Sequence, residues 1–309
     1  MTAPRIAVLG SAANRTSVAL VAEWRALGLD CELVEPPGAR ESSCEIALGR
    51  LDVRPTLDGV EPGLLDLFLL ERAGTPVLNR AAALLATHDK LRTAAALERG
   101  GLPHPATRRL RPHDVGPLPR PPVVLKPRFG SWGRDVRLCR TDSEVADAMH
   151  EFASRPWFRR HGILVQDVVE TPGHDLRLVV AGGRVAGAVE RHPRPGEWRT
   201  NVSTGASRYP TSPDARACEI AVAAADAVGA DLVGVDLIPL PDGDYVVIEL
   251  NGAADFDQSY SLERDIYGDV ADALGLAASA HHAGTYCYAE PRTRNPRAPR
   301  RGAVPRGVH

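Results

Sequence analysis

Lysine is almost missing from this chain. Its 37 lysines and arginines include only two lysines, Lys90 and Lys126. Lysine carries a compact charge on a flexible stem that can follow a moving phosphate, whereas arginine presents a rigid planar fork. Arginine-biased composition explains the count by itself, so the neighbourhoods of the two lysines must decide their meaning. Cysteine is sparse too: Cys31, Cys44, Cys139, Cys218 and Cys287 form no C-x-x-C pair and have no histidine at zinc spacing. That pattern speaks against a disulfide scaffold or zinc module and fits reduced thiols in a cytoplasmic protein. No apolar run reaches membrane-spanning length, so no membrane partner is expected. A formal net charge of -2 supplies no field to gather nucleic acid. The G-x-G-x-x-G dinucleotide fingerprint is absent after Gly10, and so are a G-x-S-x-G elbow, a Cys–His signature and the H-R-D and D-F-G kinase motifs.

What is present is an ordinary globular composition, 44% hydrophobic and 25% charged, over 309 residues, enough for two or three packed units. Arg5 to Gly10 reads as a buried parallel strand, followed by a helix from about Thr16 to Leu27 and a second strand at Cys31–Val34. Residues 1–86 are therefore expected to form a small α/β domain. From Asp89 to Arg99 the pattern is helical and stops at Gly100-Gly101. A proline-rich connection from Pro112 to Pro122 leads to the strand of Lys126. A further strand at Val136–Leu138 and a helix opening at Asp142-Ser143-Glu144 complete a small α+β unit over 87–160. Residues 161–282 alternate strands and turns, with a helix from Pro213 to Val228, a hairpin from Leu232 to Leu250 and a helix around Tyr267–Leu276. The Pro- and Arg-rich segment 283–309 has little to bury and reads as a mobile tail. Such a basic tail could touch RNA, but a solvated terminus is the simpler account.

The strongest local pattern is acidic. Glu249 and Asn251 are two apart in a strand and share one face. Asp242-Gly243 is a preferred centre for a two-residue hairpin turn. A loop centred there sets Asp236 opposite Glu249, with β-carbons ~5 Å apart, although Pro239 and Pro241 could distort the register. Two carboxylates so placed in an apolar hairpin repel unless a cation sits between them. Carboxylates plus an amide suit magnesium or manganese, not zinc. A surface hairpin with its acids in water is the alternative, and the apolar strands Leu232–Val235 and Tyr245–Ile248 oppose it.

Taken in order, five blocks resemble the RimK-like carboxylate–amine ligases of the ATP-grasp superfamily. They are Asp89-Lys90 with Gly101–Pro105, Leu125-Lys126-Pro127 with its glycine loop, Gln166–Val169 leading to Gly173–Arg177, Arg199-Thr200-Asn201, and Gly234-Val235-Asp236 through Glu249-Leu250-Asn251. The resemblance implies an α/β (α+β) ATP-grasp fold preceded by a Rossmann-like pre-ATP-grasp domain. It also implies that Lys90 and Lys126 reach the phosphates of ATP and that Gly130, Ser131 and Gly133 form a flap over them. Gln166, Asp167 and Val168 would meet the adenine edge, where family members commonly have glutamate in place of Asp167. Asp175 would bind the ribose region, and Asp236, Glu249 and Asn251 would hold magnesium or manganese. Arg199 and Asn201 would stand near the γ-phosphate and the reacting carboxylate, with Lys126 assisting.

On the substrate side, Arg177, Arg191 and Arg199 are guanidinium forks suited to an amino-acid carboxylate, with solvated strand arginines as the alternative. Ser203, Thr204 and Gly205 resemble the family segment beside the amino-acid pocket, with Thr204 where an arginine is common. Asn251-Gly252-Ala253-Ala254 is similar to the lysine-biosynthesis branch of the family. The activity implied is ADP-forming amide synthesis through an acyl phosphate, joining glutamate or another amino acid to a small amino acid or peptide in a homo-oligomer, a dimer or tetramer. A nucleotide-binding regulator that lacks ligase chemistry is the alternative.

Overall fold

The computed structural model describes residues 4–38, 42–112, 114 and 116–276. The expected tail over 283–309, like residues 277–282, lies outside the described residues.

The first unit is a parallel sheet. Its elements are β1 (Ile6–Leu9), α1 (Arg15–Ala26), β2 (Cys31–Val34), β3 (Ile46–Gly49), α2 (Leu64–Arg72) and β4 (Val77–Leu78), with strand order β2–β1–β3–β4. β1 is buried at all four positions, as a strand covered on both faces must be. Asn14 caps α1 by accepting from the Ser17 amide at 2.9 Å. Trp24 is fully buried and donates to the Tyr267 carbonyl at 3.0 Å, which ties α1 to the C-terminal end of the described chain.

Two helices, α3 (Ala81–His88) and α4 (Lys90–Arg99), lead into the second sheet. Asp89 separates them and caps α4 through the amides of Leu91 and Arg92. The second sheet holds β5 (Thr107–Leu110), β6 (Val123–Pro127), β7 (Arg137–Cys139) and, after α5 (Asp142–Ala153) and α6 (Pro156–His161), β8 (Ile163–Asp167). Thr141 and Glu144 close a reciprocal capping box at the start of α5. The strand order is β5–β8–β6–β7, so β8 runs through the middle of this sheet. β8, which follows the division expected at residue 160, pairs with both β5 and β6.

The third sheet is antiparallel, with β9 (Asp175–Ala181), β10 (Arg184–His192), β11 (Ser207–Pro210), α7 (Ala215–Val228), β12 (Leu232–Pro239) and β13 (Tyr245–Asn251). Its order is β11–β10–β9–β12–β13, and α8 (Ile266–Ala273) follows. One buried side chain locks the first and third sheets together. Asn79 donates to the Leu232 carbonyl at 2.6 Å and accepts from the Asp231 and Leu232 amides at 2.9 and 3.0 Å. Apolar burial supplies the rest: α7 lays Ile220, Ala221, Ala224 and Val228 on the back of the third sheet. The other face is apolar where Val179, Ala181 and Val189 pack with Ile266 and Val270 of α8, and charged at Arg177, Arg191 and Asp236. Burial at roughly 25 cal/mol per Å² of apolar surface supports the charged part from both sides.

Candidate active site

The hairpin meets the register expected of it by an unexpected route. The turn is longer than two residues, with the Leu240 amide donating to the Asp244 carbonyl at 2.8 Å and the Gly243 amide to the Leu240 carbonyl at 3.1 Å. A register shift follows between Leu237 and Asp236, and the pairing arrives at Asp236 opposite Glu249. The one extra residue at the turn and the bulge at Ile248 offset each other. Glu249 and Asn251 then lie on the sheet face that looks away from α7.

On that face the strands set out a charged row. Arg177 of β9 stands opposite Asp236 of β12, and Arg191 of β10 stands opposite Asp175 of β9. Arg177 grips Asp236 in a two-pronged pair of 2.6 and 2.7 Å. Arg191 grips Asp175 at 2.7 and 2.5 Å and reaches Asp236 Oδ2 at 2.9 Å. Thr200 donates to the same Asp175 carboxylate at 2.5 Å. Burial by itself would raise the Asp236 carboxyl, but the Arg177 and Arg191 guanidiniums overcome it and hold it at about 2. At Asp175 burial wins and the carboxyl is raised, against the pull of Arg191.

These contacts change the assignments expected for three residues. The forks of Arg177 and Arg191 are occupied by aspartates and are not open to a substrate carboxylate. Asp175, 8% exposed, is committed to Arg191 and Thr200 and offers no open acceptor to a ribose. The repulsion that called for a cation between Asp236 and Glu249 is met by protein cations, since Lys90 Nζ lies 2.9 Å from Glu249 Oε1. The donors still suit a hard divalent ion. The Asn251 side-chain nitrogen is buried without a partner among the described residues, and rotation of that amide puts an oxygen in its place. Glu249 and the turned Asn251 amide offer oxygen ligands, and Asp236, whose two oxygens are held by Arg177 and Arg191, would join them by exchanging a guanidinium for the ion.

The two lysines border one small space with Glu249, and Lys90 pairs with that carboxylate directly. Lys90 is the first residue of α4, fixed there by the Asp89 cap, and its ammonium also donates to the Gly130 carbonyl at 2.5 Å. Asp89 further anchors Arg128 at 2.7 and 2.5 Å, so one buried acid positions both the lysine and the base of the glycine loop. Lys126, on β6, donates to Gln166 Oε1 at 2.7 Å, and Gln166 donates in turn to Thr107. Burial pushes the Lys126 ammonium down to about 8; the nearby Lys90 charge adds to this, while Glu249 and Asp236 oppose it. Asp167 ends β8 with its amide bonded to the Ala106 carbonyl, and Val168 follows directly.

The glycine loop is latched to the segment after β10. Arg199 donates to the Gly133 carbonyl at 3.0 Å and Ser203 to the Trp132 carbonyl at 2.8 Å. Gly133 sits at φ +66, and a Cβ there would come 2.6 Å from Asn201 Oδ1. Ser131 Oγ is buried without a partner among the described residues. Arg199 is held by Glu197, whose carboxyl falls to about 2 through its hydrogen bonds with Arg199. Thr204 turns its hydroxyl back to the Asn201 carbonyl at 2.7 Å, and Gly205 closes the turn at φ +93.

Beneath this latch lies a cavity of about 700 Å³, bounded by Ser131, Arg191, Asn201, Arg208, Glu249 and Asn251 among others. Beside the lysines the open space shrinks to about 10 Å³, bounded by Lys90, Lys126, Gln166 and Glu249. Sequence patterns gave no sign of the far wall, where Asp52 and Glu61 of the first unit meet Asp255. Asp52 is pushed up to about 6 by burial, against a hydrogen bond from the Val53 amide, with Glu61 and Asp255 adding to the rise. Nor did they mark Arg208, which lies opposite Arg191 across the β10–β11 pairing.

Residues 87–274 match the RimK-like ATP-grasp domain. The chain belongs to the RimK-like ATP-grasp family. This RimK-like protein is 30% identical over 222 residues to the glutamate–LysW ligase of Sulfurisphaera tokodaii, across 68% of this chain and 76% of that one. It is 29% identical over 201 residues to the α-aminoadipate–LysW ligase of Saccharolobus solfataricus, across 62% and 71% of the two chains. The fold is also that of the D-alanine–D-alanine ligase of Bacillus anthracis solved with ATP, with a TM-score of 0.66 at 16% identity over 88% and 96% of the two chains. No helix among the described residues of the RimK-like chain is long and apolar enough to cross a membrane.

Proposed function

We propose that the protein is an ATP-dependent carboxylate–amine ligase that activates an amino-acid carboxylate as an acyl phosphate. The observation that carries this reading is the position of Glu249. It lines both the tight space holding Lys90 and Lys126 and the large cavity holding the substrate-facing groups. A triphosphate with its terminal phosphate at Glu249 therefore ends where the cavity begins.

In this reading Lys90 and Lys126 neutralise the phosphates, and the backbone at Asp167 and Val168 meets the adenine edge. Asp236, Glu249 and Asn251 would hold magnesium, which neutralises phosphate charge as it develops. An oxygen of the substrate carboxylate bonds to the γ-phosphorus as the bond from that phosphorus to the β-bridging oxygen breaks, giving acyl phosphate and ADP. The amine of the second substrate then attacks the acyl carbon, loses a proton, and expels inorganic phosphate to leave an amide. Arg199 and Asn201, latched to the flap, fix the geometry of the first step. For such transfers, positioning and charge complementarity supply most of the acceleration. Nucleotide entry requires Lys90 to release the Gly130 carbonyl and the flap to lift.

An acidic α-amino acid as one substrate is supported by the names of the two relatives, both of which ligate one. The test is phosphate release from ATP across a panel of amino acids, singly and in pairs. Release that requires a particular acid and rises with an amine partner supports the ligase. Failure of every pair to stimulate ADP formation replaces it with a nucleotide-binding protein that performs no ligation.

A further inference from the structure

Among the described residues four arginines line the large cavity: Arg15, Arg177, Arg191 and Arg208. Arg15 is exposed at the first residue of α1. Arg177 and Arg191 are buried with their forks filled by Asp236 and Asp175. Arg208 differs from all three. Its side chain is 28% exposed and its one ion pair, 2.9 Å to Asp257, is with a carboxylate that is itself 50% exposed. Asp257 has other partners to keep, accepting from the Ser259 amide at 2.9 Å and the Ser259 hydroxyl at 2.5 Å. The Tyr260 side chain, almost fully buried, is a second partner of the Arg208 guanidinium, with its ring centroid 5.6 Å away.

Charge is spread unevenly round the cavity. Asp52, Glu61 and Asp255 cluster on one part of the wall, while on the sheet side the acids Glu249 and Asp257 are paired with Lys90 and Arg208, and Arg208 sits in register with Arg191. Among the described arginines on the sheet side of the cavity, Arg208 is the one whose ion-pair partner is half exposed and exchangeable. Its exchange of a half-exposed partner for a ligand carboxylate leaves the buried Arg177–Asp236–Arg191–Asp175 row intact.

We propose that Arg208 is the specificity-determining residue of this site, receiving the unactivated carboxylate of a dicarboxylic amino acid. This rests on the ligase reading for the identity of the site, but it makes a claim about binding that does not depend on turnover. A paired carboxylate on a guanidinium is one of the stronger protein hydrogen-bonded contacts, so its loss weakens the acid by on the order of 10- to 100-fold.

The experiment measures calorimetric affinities of L-glutamate, L-2-aminoadipate and L-glutamine for the whole protein, with magnesium and a non-hydrolysable ATP analogue. Wild type, Arg208→Gln and Arg208→Lys are compared, and ADP formation is followed in parallel. The expected result is a preference of wild type for an acid over glutamine that collapses in Arg208→Gln and survives in part in Arg208→Lys. Retention of the preference in Arg208→Gln overturns the proposal, as does a wild type that binds none of the probes or does not favour the acids. Turnover with an unchanged preference in Arg208→Gln removes Arg208 and leaves the ligase. Loss of the preference without any turnover in wild type supports Arg208 and removes the ligase.

Discussion

Asp236 and Glu249 stand opposite each other on neighbouring strands, yet different cations neutralise them: Arg177 and Arg191 hold the first, Lys90 the second. Glu249, the less buried of the two, is thereby tied to a lysine that also holds the flap through Gly130. The acid, the lysine and the lid form one mechanical unit.

Glu249→Gln keeps the shape of that unit and removes its charge. ADP formation is expected to fall by about 100-fold or more, since charge stabilisation at phosphoryl transfer is lost. The protein should still melt in one cooperative step. Stopped-time assays of ADP with circular dichroism melts check both, and retained turnover would show that Glu249 has no part in nucleotide chemistry.

Arg191→Met separates an ion-pair role from a substrate role. The substitution leaves Asp175 and Asp236 buried with fewer partners, and breaking such a pair destabilises by ~3–5 kcal/mol. Urea unfolding should show that loss. Unchanged stability with a raised KM for an amino acid would return Arg191 to the substrate side.

Lys126 makes the site sensitive to alkaline pH. Burial pushes its ammonium down to about 8 in the fold from an ordinary lysine value of 10.5, so between these pH values the unfolded chain holds a proton that the folded chain lacks. Stability therefore rises with pH across that window, and the penalty for burying the charged lysine, about 3 kcal/mol by linkage, is fully present below pH 8. Nucleotide binding runs the other way, because phosphates favour the charged form. ATP-analogue affinity should fall above pH 8, with proton uptake on binding in calorimetry at pH ~8.5. Lys126→Met should abolish the proton uptake.

Gly133→Ala tests the latch. The left-handed backbone at φ +66 and the 2.6 Å approach to Asn201 both oppose a side chain there. A loss of turnover of roughly tenfold or more, with a melting temperature within a few degrees of wild type, is expected because the flap lies over the site and not in the core. Equal turnover in the variant would mean that closure against Asn201 is not needed.

The local features were legible in sequence because their causes are local. The β1–α1–β2 opening shows as a buried run followed by a capped helix, and Asp89 marks the start of α4 through its bonds to the next amides. Asp236 opposite Glu249 was reached through a two-residue turn, and the structure arrives there through a longer turn and a bulge. What stayed hidden depends on strands distant in sequence becoming neighbours. β8 joins the second sheet by pairing with β6, nearly forty residues upstream. The capture of Asp236 depends on β12 lying against β9. Arg208 acquires its place only because the edge strand β11 registers with β10. No periodicity in a single segment encodes these meetings.

The most direct measurement follows oxygen. Amino acids carrying heavy oxygen in their carboxylates are supplied with ATP, magnesium and an amine partner, and the released phosphate is weighed by mass spectrometry. Activation as an acyl phosphate moves one labelled oxygen into each phosphate, with ADP as the other product. Amide formation with unlabelled phosphate, or with AMP and pyrophosphate, would contradict it.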